Sequence, residues 1–372
     1  MSDEIVDSGA TQYYADQYYR QFMRKCRIMV LPSDTGKAYD VSDLRCTFNI
    51  EKALSETPNF AQICIYNTSL EFRSMVSAKG GEVTVEAGYE GGTFGMIFRG
   101  RIVQVMFDYE GGVDTVLTLI CQDGDVFLNS QIIMGTMAAG STGADVVNAC
   151  AQKIEKGVIS DAVQTHPLPR GRVLFGKAAE YVRQVTHQTN TQMYVDDGVL
   201  NVVASRDYGN VIIELHPDNA LLGEPSQTDD GVSAKCLLNP SMRLNSIVFI
   251  NSAFIKAKAA SPTADNGAFG MVEYSRNGLY RILKITYEGD TRGEAWYCNF
   301  EAIAQDGRSP AGANTSSEEL YDLNEEMYDA PSSGSSGGGK TTPGKQTPSD
   351  RKNTSMAYDL YQGIANIWRG KE

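Results

Sequence analysis

One strand pair is written twice in this sequence, about half a chain apart. Arg101-Ile-Val-Gln-Val-Met-Phe-Asp-Tyr-Glu-Gly111 leads into the apolar run Val116 to Cys121 and closes on Gln122-Asp123-Gly124. Later, Arg281-Ile-Leu-Lys-Ile-Thr-Tyr-Glu-Gly289 leads into Trp296 to Ile303 and closes on Gln305-Asp306-Gly307. Each copy reads strand, acidic glycine-bearing turn, strand, polar stop. Any two hairpins share alternation, but Tyr-Glu-Gly and Gln-Asp-Gly recur here in the same order. A duplicated β unit constrains architecture, because equivalent units can occupy equivalent places in a ring.

Strand signals surround both copies. Cys26 to Leu31, Arg45 to Ile50, Ala61 to Tyr66 and Glu82 to Ala87 alternate apolar with polar residues, and Gly, Asn, Pro and Asp separate them. This predicts a half-buried antiparallel sheet with water on one face, either a small barrel or a sandwich. Gly91, Gly92 and Gly95 stand between strands and read as a hairpin loop. Strands return at Val211 to Leu215, Val232 to Leu238, Ser246 to Ile250 and Ala253 to Ala257.

The middle of the chain changes period. Ser141-Thr-Gly-Ala-Asp opens a predicted helix with Val147, Cys150, Ala151 and Ile154 on one face. A second helix follows Lys177, and Gln192 to Val203 is a hairpin whose Asp197-Gly198 suits a tight primed turn. The expected domains are an N-terminal arm at 1–20, a first β domain at 21–128 and a small α+β domain at 129–205. A second β domain at 206–307, an acidic then Gly/Ser/Pro linker at 308–354 and an amphipathic segment at 355–372 complete the chain.

With 372 residues, 42% of them hydrophobic, the chain has material for two or three cores. The net charge of -13 argues against a protein that neutralises phosphates along a nucleic acid. Seven cysteines show no Cys-x-x-Cys spacing and sit in apolar patterns, which reads as reduced, buried side chains. No apolar run is long enough to span a bilayer. The start, Met1-Ser-Asp-Glu-Ile, lacks the features of a signal peptide, so folding in a cytoplasm is expected.

Chemistry-bearing patterns are weak. Gly171 to Lys177 approaches a phosphate loop, but Ala178 stands where a magnesium-binding hydroxyl belongs, and Pro167 and Pro169 precede it. His166, His187 and His216 share no helix face with carboxylates, so neither zinc ligation nor histidine-activated nucleophiles are expected. Asp196 with Asp197, and Asp229 with Asp230, sit in turns, where turn formation explains them. No catalytic, cofactor-binding or metal-ligating residue is assigned, and no cofactor is expected.

Leu221 to Pro240 carries Gly223, Pro225, Gln227, Thr228, Gly231, Val232, Leu237, Leu238, Asn239 and Pro240 in a spacing that resembles the baseplate hub proteins of bacteriophage tails. The order of domains over roughly residues 20 to 307 is similar to that family too. The resemblance implies a mainly β protein with a small α+β insert and two similar antiparallel tube-type β-barrel domains. It implies a structural, non-enzymatic role in the virion: a homotrimer forming a pseudo-sixfold ring around the DNA channel. Its implied partners are a tail tube or tube-initiator protein, the central spike, other baseplate proteins and the tape measure protein. The resemblance also implies that DNA passes without specific binding and that no membrane is involved. Two alternatives are a hub with cell-wall hydrolase activity, which needs a fused catalytic domain, and a soluble enzyme with a duplicated β domain, which needs a convergent polar cluster.

The C-terminal segment is expected to dock on a partner. Met356, Leu360, Ile364 and Ile367 fall three or four residues apart, with Trp368 beside them. So short a helix is marginal alone in water.

Overall fold

The computed structural model describes residues 21–304 apart from 34–35, 77–80, 153, 165–166, 205–206, 208–211, 229–230, 252–254 and 256–277. Alternation builds the first half. After β1 (Arg24–Leu31) and the short β2 (Tyr39–Asp40), β3 (Cys46–Ala53) buries Cys46, Phe48 and Ile50 while Asn49 and Glu51 face outward. Strand β4 (Asn59–Tyr66) repeats the pattern with Ala61, Ile63 and Ile65 buried, and helix α1 (Leu70–Val76) follows. Then come β5 (Glu82–Tyr89), the long β6 (Phe94–Glu110) and β7 (Asp114–Asp123).

A π-helical turn at Val126–Ser130 opens the insert, followed by β8 (Ile132–Met137). Helix α2 (Gly143–Cys150) starts where Thr142 accepts from the backbone of Asp145 and the Asp145 carboxylate reciprocates, a capping box that fixes its first turn. Strand β9 (Glu155–Ile159), a 3-10 turn at Asp161–Gln164, β10 (Arg172–Lys177) and α3 (Ala178–Thr189) precede the hairpin of β11 (Thr191–Asp196) and β12 (Val199–Ala204). Its two-residue turn has Asp197 at φ 54° and Gly198 at φ 81°, the primed geometry that matches strand twist. The second half contains β13 (Ile212–Leu215), β14 (Leu221–Gln227), β15 (Gly231–Leu237), β16 (Ile247–Ile250), β17 (Leu279–Asp290) and β18 (Trp296–Ala304).

Both halves share one 13-stranded sheet, ordered β14-β15-β18-β17-β3-β4-β7-β6-β5-β1-β2, with β16 on β17 and β13 on β16. The half-sheets are built alike. The order β3-β4-β7-β6-β5-β1 in the first half reappears as β14-β15-β18-β17-β16-β13 in the second, strand for strand in chain sequence. Every shared pairing is antiparallel in both halves except the last, antiparallel for β1 on β5 and parallel for β13 on β16. The repeated hairpins, β6–β7 and β17–β18, therefore occupy the same place in each half. Even the irregularity repeats: the ladder slips between Ile102 and Gln104 in one copy and between Ile282 and Lys284 in the other.

The tripeptides that first drew attention to the repeat do not align. Counting from the slip, Phe107 faces Leu117 and Tyr287 faces Cys298, so Tyr287 is the counterpart of Phe107 and not of Tyr109. Arg101 pairs with Gln122, whereas Arg281 pairs with Ile303, two residues before Gln305. The register that pairs the strands differs by two residues from the one the tripeptides suggested. Gln305 to Gly307 lie outside the described residues.

No sheet closes into a barrel among the described residues. Instead β17 pairs with β3 and fuses the half-sheets edge to edge. One core accordingly takes residues from both, among them Ile50, Ile63, Leu119, Cys236, Ile282 and Phe300, and Phe48 of β3 meets Trp296 of β18 edge-on at 5.7 Å. A second core gathers Phe127, Val147, Leu174, Val182, Met193 and Val202 of the insert. All seven cysteines are free, and burial pushes the Cys121 thiol up to about 12, which leaves it an inert core side chain. Among the described residues no helix is long and apolar enough to cross a membrane.

Candidate functional site

The signature region builds an edge of the sheet and its support. Gly223, at φ 72°, lies in β14, the terminal strand, where Pro225 is tolerated because no further ladder needs its missing N–H. The Thr228 N–H donates to the Gly231 carbonyl at 2.9 Å to close the turn into β15. A Cβ on Gly231 would stand 2.0 Å from the Ala302 carbonyl oxygen of β18, so the close approach of these strands requires glycine. Val232 and Leu238 enter the core, and the Leu238 N–H reaches the Trp296 carbonyl at 3.2 Å. The Asn239 side chain accepts from Ser241 N–H at 3.0 Å, and Pro240 packs over Gly95 of β6. The Gln227 Oε1 is buried without a hydrogen-bond partner among the described residues. These residues shape a strand edge; none is arranged for reaction chemistry.

A buried charge cluster joins the insert to both halves. Lys52, at the end of β3, donates to Asp196 Oδ1 at 2.6 Å and to Asp197 Oδ1 at 2.7 Å. The guanidinium of Arg243, in the loop before β16, reaches Asp197 Oδ2 at 2.9 Å and the Met96 carbonyl at 3.1 Å. The Arg99 N–H adds a bond to Asp197 at 3.2 Å, and Asn59 ties to the Val195 carbonyl at 2.8 Å. Burial alone would push the Lys52 ammonium down, but the two carboxylates outweigh it and hold it above its ordinary range. Asp123 lacks a matching cation. Its Oδ1 accepts from the Gly198 N–H at 2.9 Å, its Oδ2 has no partner among the described residues, and burial pushes its carboxyl up to about 7, with Asp197 and Asp196 adding to the effect against Lys52.

Asp196 and Asp197 form the turn that their spacing predicts, and they also anchor an ion cluster that no local pattern announces. Carboxylate oxygens of Asp123, Asp196 and Asp197 lie within 4.8 Å of one another, close enough to suggest a metal site. The Lys52 ammonium already neutralises two of them, 2.6 Å from Asp196 and 2.7 Å from Asp197. The arrangement is a staple: two cations and two carboxylates hold three chain segments, with a third carboxyl favoured in its neutral form at their margin.

Other sequence candidates are dispersed. Residues 172–177 form a strand paired with β8, so no phosphate-cradling loop exists there, and Lys177 occupies the N-cap position of α3. His187 lies in the last turn of α3, His216 pairs with Asp218 at 3.1 Å, and His166 is outside the described residues. Asp229 and Asp230, residues 257–277 and the segment with Met356, Leu360, Ile364, Ile367 and Trp368 also lie outside them. Two exposed apolar surfaces stand out: Val103, Met106, Phe107 and Tyr109 on the far half of β6, and Ile132, Met134, Val173 and Phe175 on β8 and β10.

A family model described as baseplate hub gp41 matches residues 37–258, more than half of the chain. No curated protein matches the sequence. Among solved structures, the chain is similar to the 43 kDa tail protein of prophage MuSo2 from Shewanella oneidensis, with 11% identity and a TM-score of 0.49 over 76% of this chain and 98% of that one. A tail protein from Neisseria meningitidis MC58 gives 9% identity and a TM-score of 0.47 over 76% and 98%. An E. coli component of the type VI secretion system, described as structurally similar to T4 tail proteins gp27 and gp5, gives 9% and 0.46 over 72% and 76%.

Proposed function

Because the chain belongs to the baseplate hub gp41 family and is a structural protein of the phage tail baseplate, we propose that it forms the hub ring itself, three copies closing around the DNA channel between tail tube and central spike. The repeated half-sheet carries this reading. One chain supplies two modules with the same strand order, so three chains supply six, and a six-fold tube can meet a three-fold spike on one body. Continuous pairing from β17 to β3 joins the two modules in one sheet and not through a linker.

The face of the sheet away from the core supports a channel. Across the seam it presents Asn49, Glu51, Thr286, Glu288 and Glu301, with Lys284 the cation among them. Net negative charge at short range disfavours phosphate contact, which suits a conduit through which DNA must pass. The tape measure protein and the tube-initiator protein are the partners proposed at the tube side. The oligomeric mass in solution tests the ring: a particle of three 40.6 kDa chains is expected, and a monomer at assembly concentrations contradicts it.

The C-terminal segment 355–372 is proposed as a tethered docking peptide for a neighbouring baseplate protein. Burying Met356, Leu360, Ile364, Ile367 and Trp368 would contribute about 1.5–3 kcal/mol each before ordering costs. Deleting 355–372 is expected to leave a folded ring that joins the baseplate poorly. Normal yields of infectious particles from that truncation would remove the docking role.

A further inference from the structure

The ion cluster holds the three groups that an amide bond between side chains requires. An amine needs a carboxyl carbon within reach, a route for its protons and a site that excludes water. Lys52 Nζ lies 2.6 Å from Asp196 Oδ1, and the two side chains are 2% and 10% exposed. Asp123 supplies the route. One of its carboxylate oxygens lies within 4.8 Å of one on Asp196 and one on Asp197. The residue is 3% exposed, and its Oδ2 has no partner among the described residues. A buried carboxyl with an idle oxygen, beside an amine and a second carboxyl, can pass protons between them.

We propose that Lys52 and Asp196 condense to a side-chain amide, with Asp123 as the proton relay, so that a covalent bond ties β3 to the β11–β12 turn. The reaction converts an ammonium and a carboxylate into one amide and one water. Asp123 hands its proton to an Asp196 oxygen, which makes Asp196 an electrophile. The carboxylate left on Asp123 takes a proton from the Lys52 ammonium, and the freed amine attacks Asp196 Cγ. The C–N bond forms and the C–O bond to the protonated oxygen breaks. That oxygen leaves as water with a second proton from the nitrogen, and Asp123 ends protonated as it began. No oxidant, cofactor or further reactant takes part.

The contacts select Asp196 over Asp197 as the electrophile. Asp197 accepts from Lys52, from the Arg243 guanidinium and from the Arg99 N–H, which stabilise its carboxylate and oppose protonation. Arg243 comes no closer to Asp196 than 3.9 Å. Burial pushes the Asp123 carboxyl up to about 7, so it has a proton to give near neutral pH. The two carboxylates hold the Lys52 ammonium above its ordinary range, which keeps the free amine rare and the reaction slow. Freshly folded chains therefore contain the ion pair, and the amide accumulates as they age. Burial favours the product, because a neutral amide replaces two desolvated charges. The bond closes a loop of 144 residues.

The intact mass of the denatured chain tests this. After the full chain has stood folded for days near neutral pH, a fraction is expected to weigh about 18 Da less than the fresh chain, one water lost to a covalent link. Trypsin should then leave residues 46–73 and 184–206 joined as one branched peptide, uncleaved at Lys52. Fragment masses should place the link between Lys52 and Asp196. Asp123→Asn keeps an oxygen for the Gly198 N–H but has no proton to relay. It is expected to fold, by circular dichroism, and to form the branched peptide roughly 100-fold more slowly. Aged, folded parent chain that keeps its full mass overturns the proposal. The same mass loss confined to the Asp197-Gly198 peptide is a succinimide, and it overturns the proposal as well. A branched peptide that forms equally fast in Asp123→Asn overturns the relay.

Discussion

Replacing Lys52 with methionine is expected to lower the unfolding free energy by about 3–5 kcal/mol, measured by urea denaturation near neutral pH. The side chain is 2% exposed and is the cation that touches both Asp196 and Asp197 at the end of β3. Methionine fills most of the volume but leaves two carboxylates in the interior with Arg243 alone, which lies 2.9 Å from Asp197 and 3.9 Å from Asp196. An uncompensated buried charge costs far more than an exposed pair contributes, about 0–1 kcal/mol. Adding Asp196→Asn should recover much of the loss, because it removes the charge that Lys52 balanced. A loss under about 1 kcal/mol in the single variant would mean that the cluster is not a staple.

Asp123→Asn should act in the opposite direction and with a distinctive pH profile. The carboxyl is pushed up to about 7 in the folded chain, against about 3.9 when unfolded. The native state therefore holds the extra proton, and stability is full below about pH 4 and is lost as pH rises through about 7. Asparagine mimics the protonated form and keeps an oxygen for the Gly198 N–H, which donates to Asp123 Oδ1 at 2.9 Å. The variant should match the parent near pH 4 and exceed it increasingly up to pH 7, by up to about 4 kcal/mol, with a constant gap above. Parallel stability curves across that window would show that Asp123 is ionised in the fold at neutral pH.

Much of the sheet is legible in local alternation. The facing of β3, β4 and β15, the Asp197-Gly198 turn and the start of α2 all follow from spacing within a few residues. The alignment of the two repeats was only half legible, for a physical reason. A slip of two residues keeps every side chain on its face, so periodicity cannot tell the pairing of Tyr287 with Phe107 from one with Tyr109. Only the ladder at Ile102 and Ile282 fixes it. The seam of β17 on β3 unites positions more than two hundred residues apart, and no local pattern announces it.

The ion cluster was hidden for the same reason, since Lys52 and Asp196 are 144 residues apart. One signal did exist. Lys52 shares the parity of Cys46, Phe48 and Ile50, which placed a charged side chain on the buried face and demanded a partner there. The signature at 221–240 was legible as a motif, but its physical content was not. Gly231 is required by the Ala302 carbonyl of β18, and Pro225 is permitted by an edge position in the single chain.

An electron cryomicroscopy map of the assembled tail, viewed down its axis at the baseplate hub, tests the central claim most directly. The expected map shows three copies of this chain forming a closed ring, with six β modules around one channel. A hub with a different copy number, or three copies that do not present six β modules around one channel, would contradict the account.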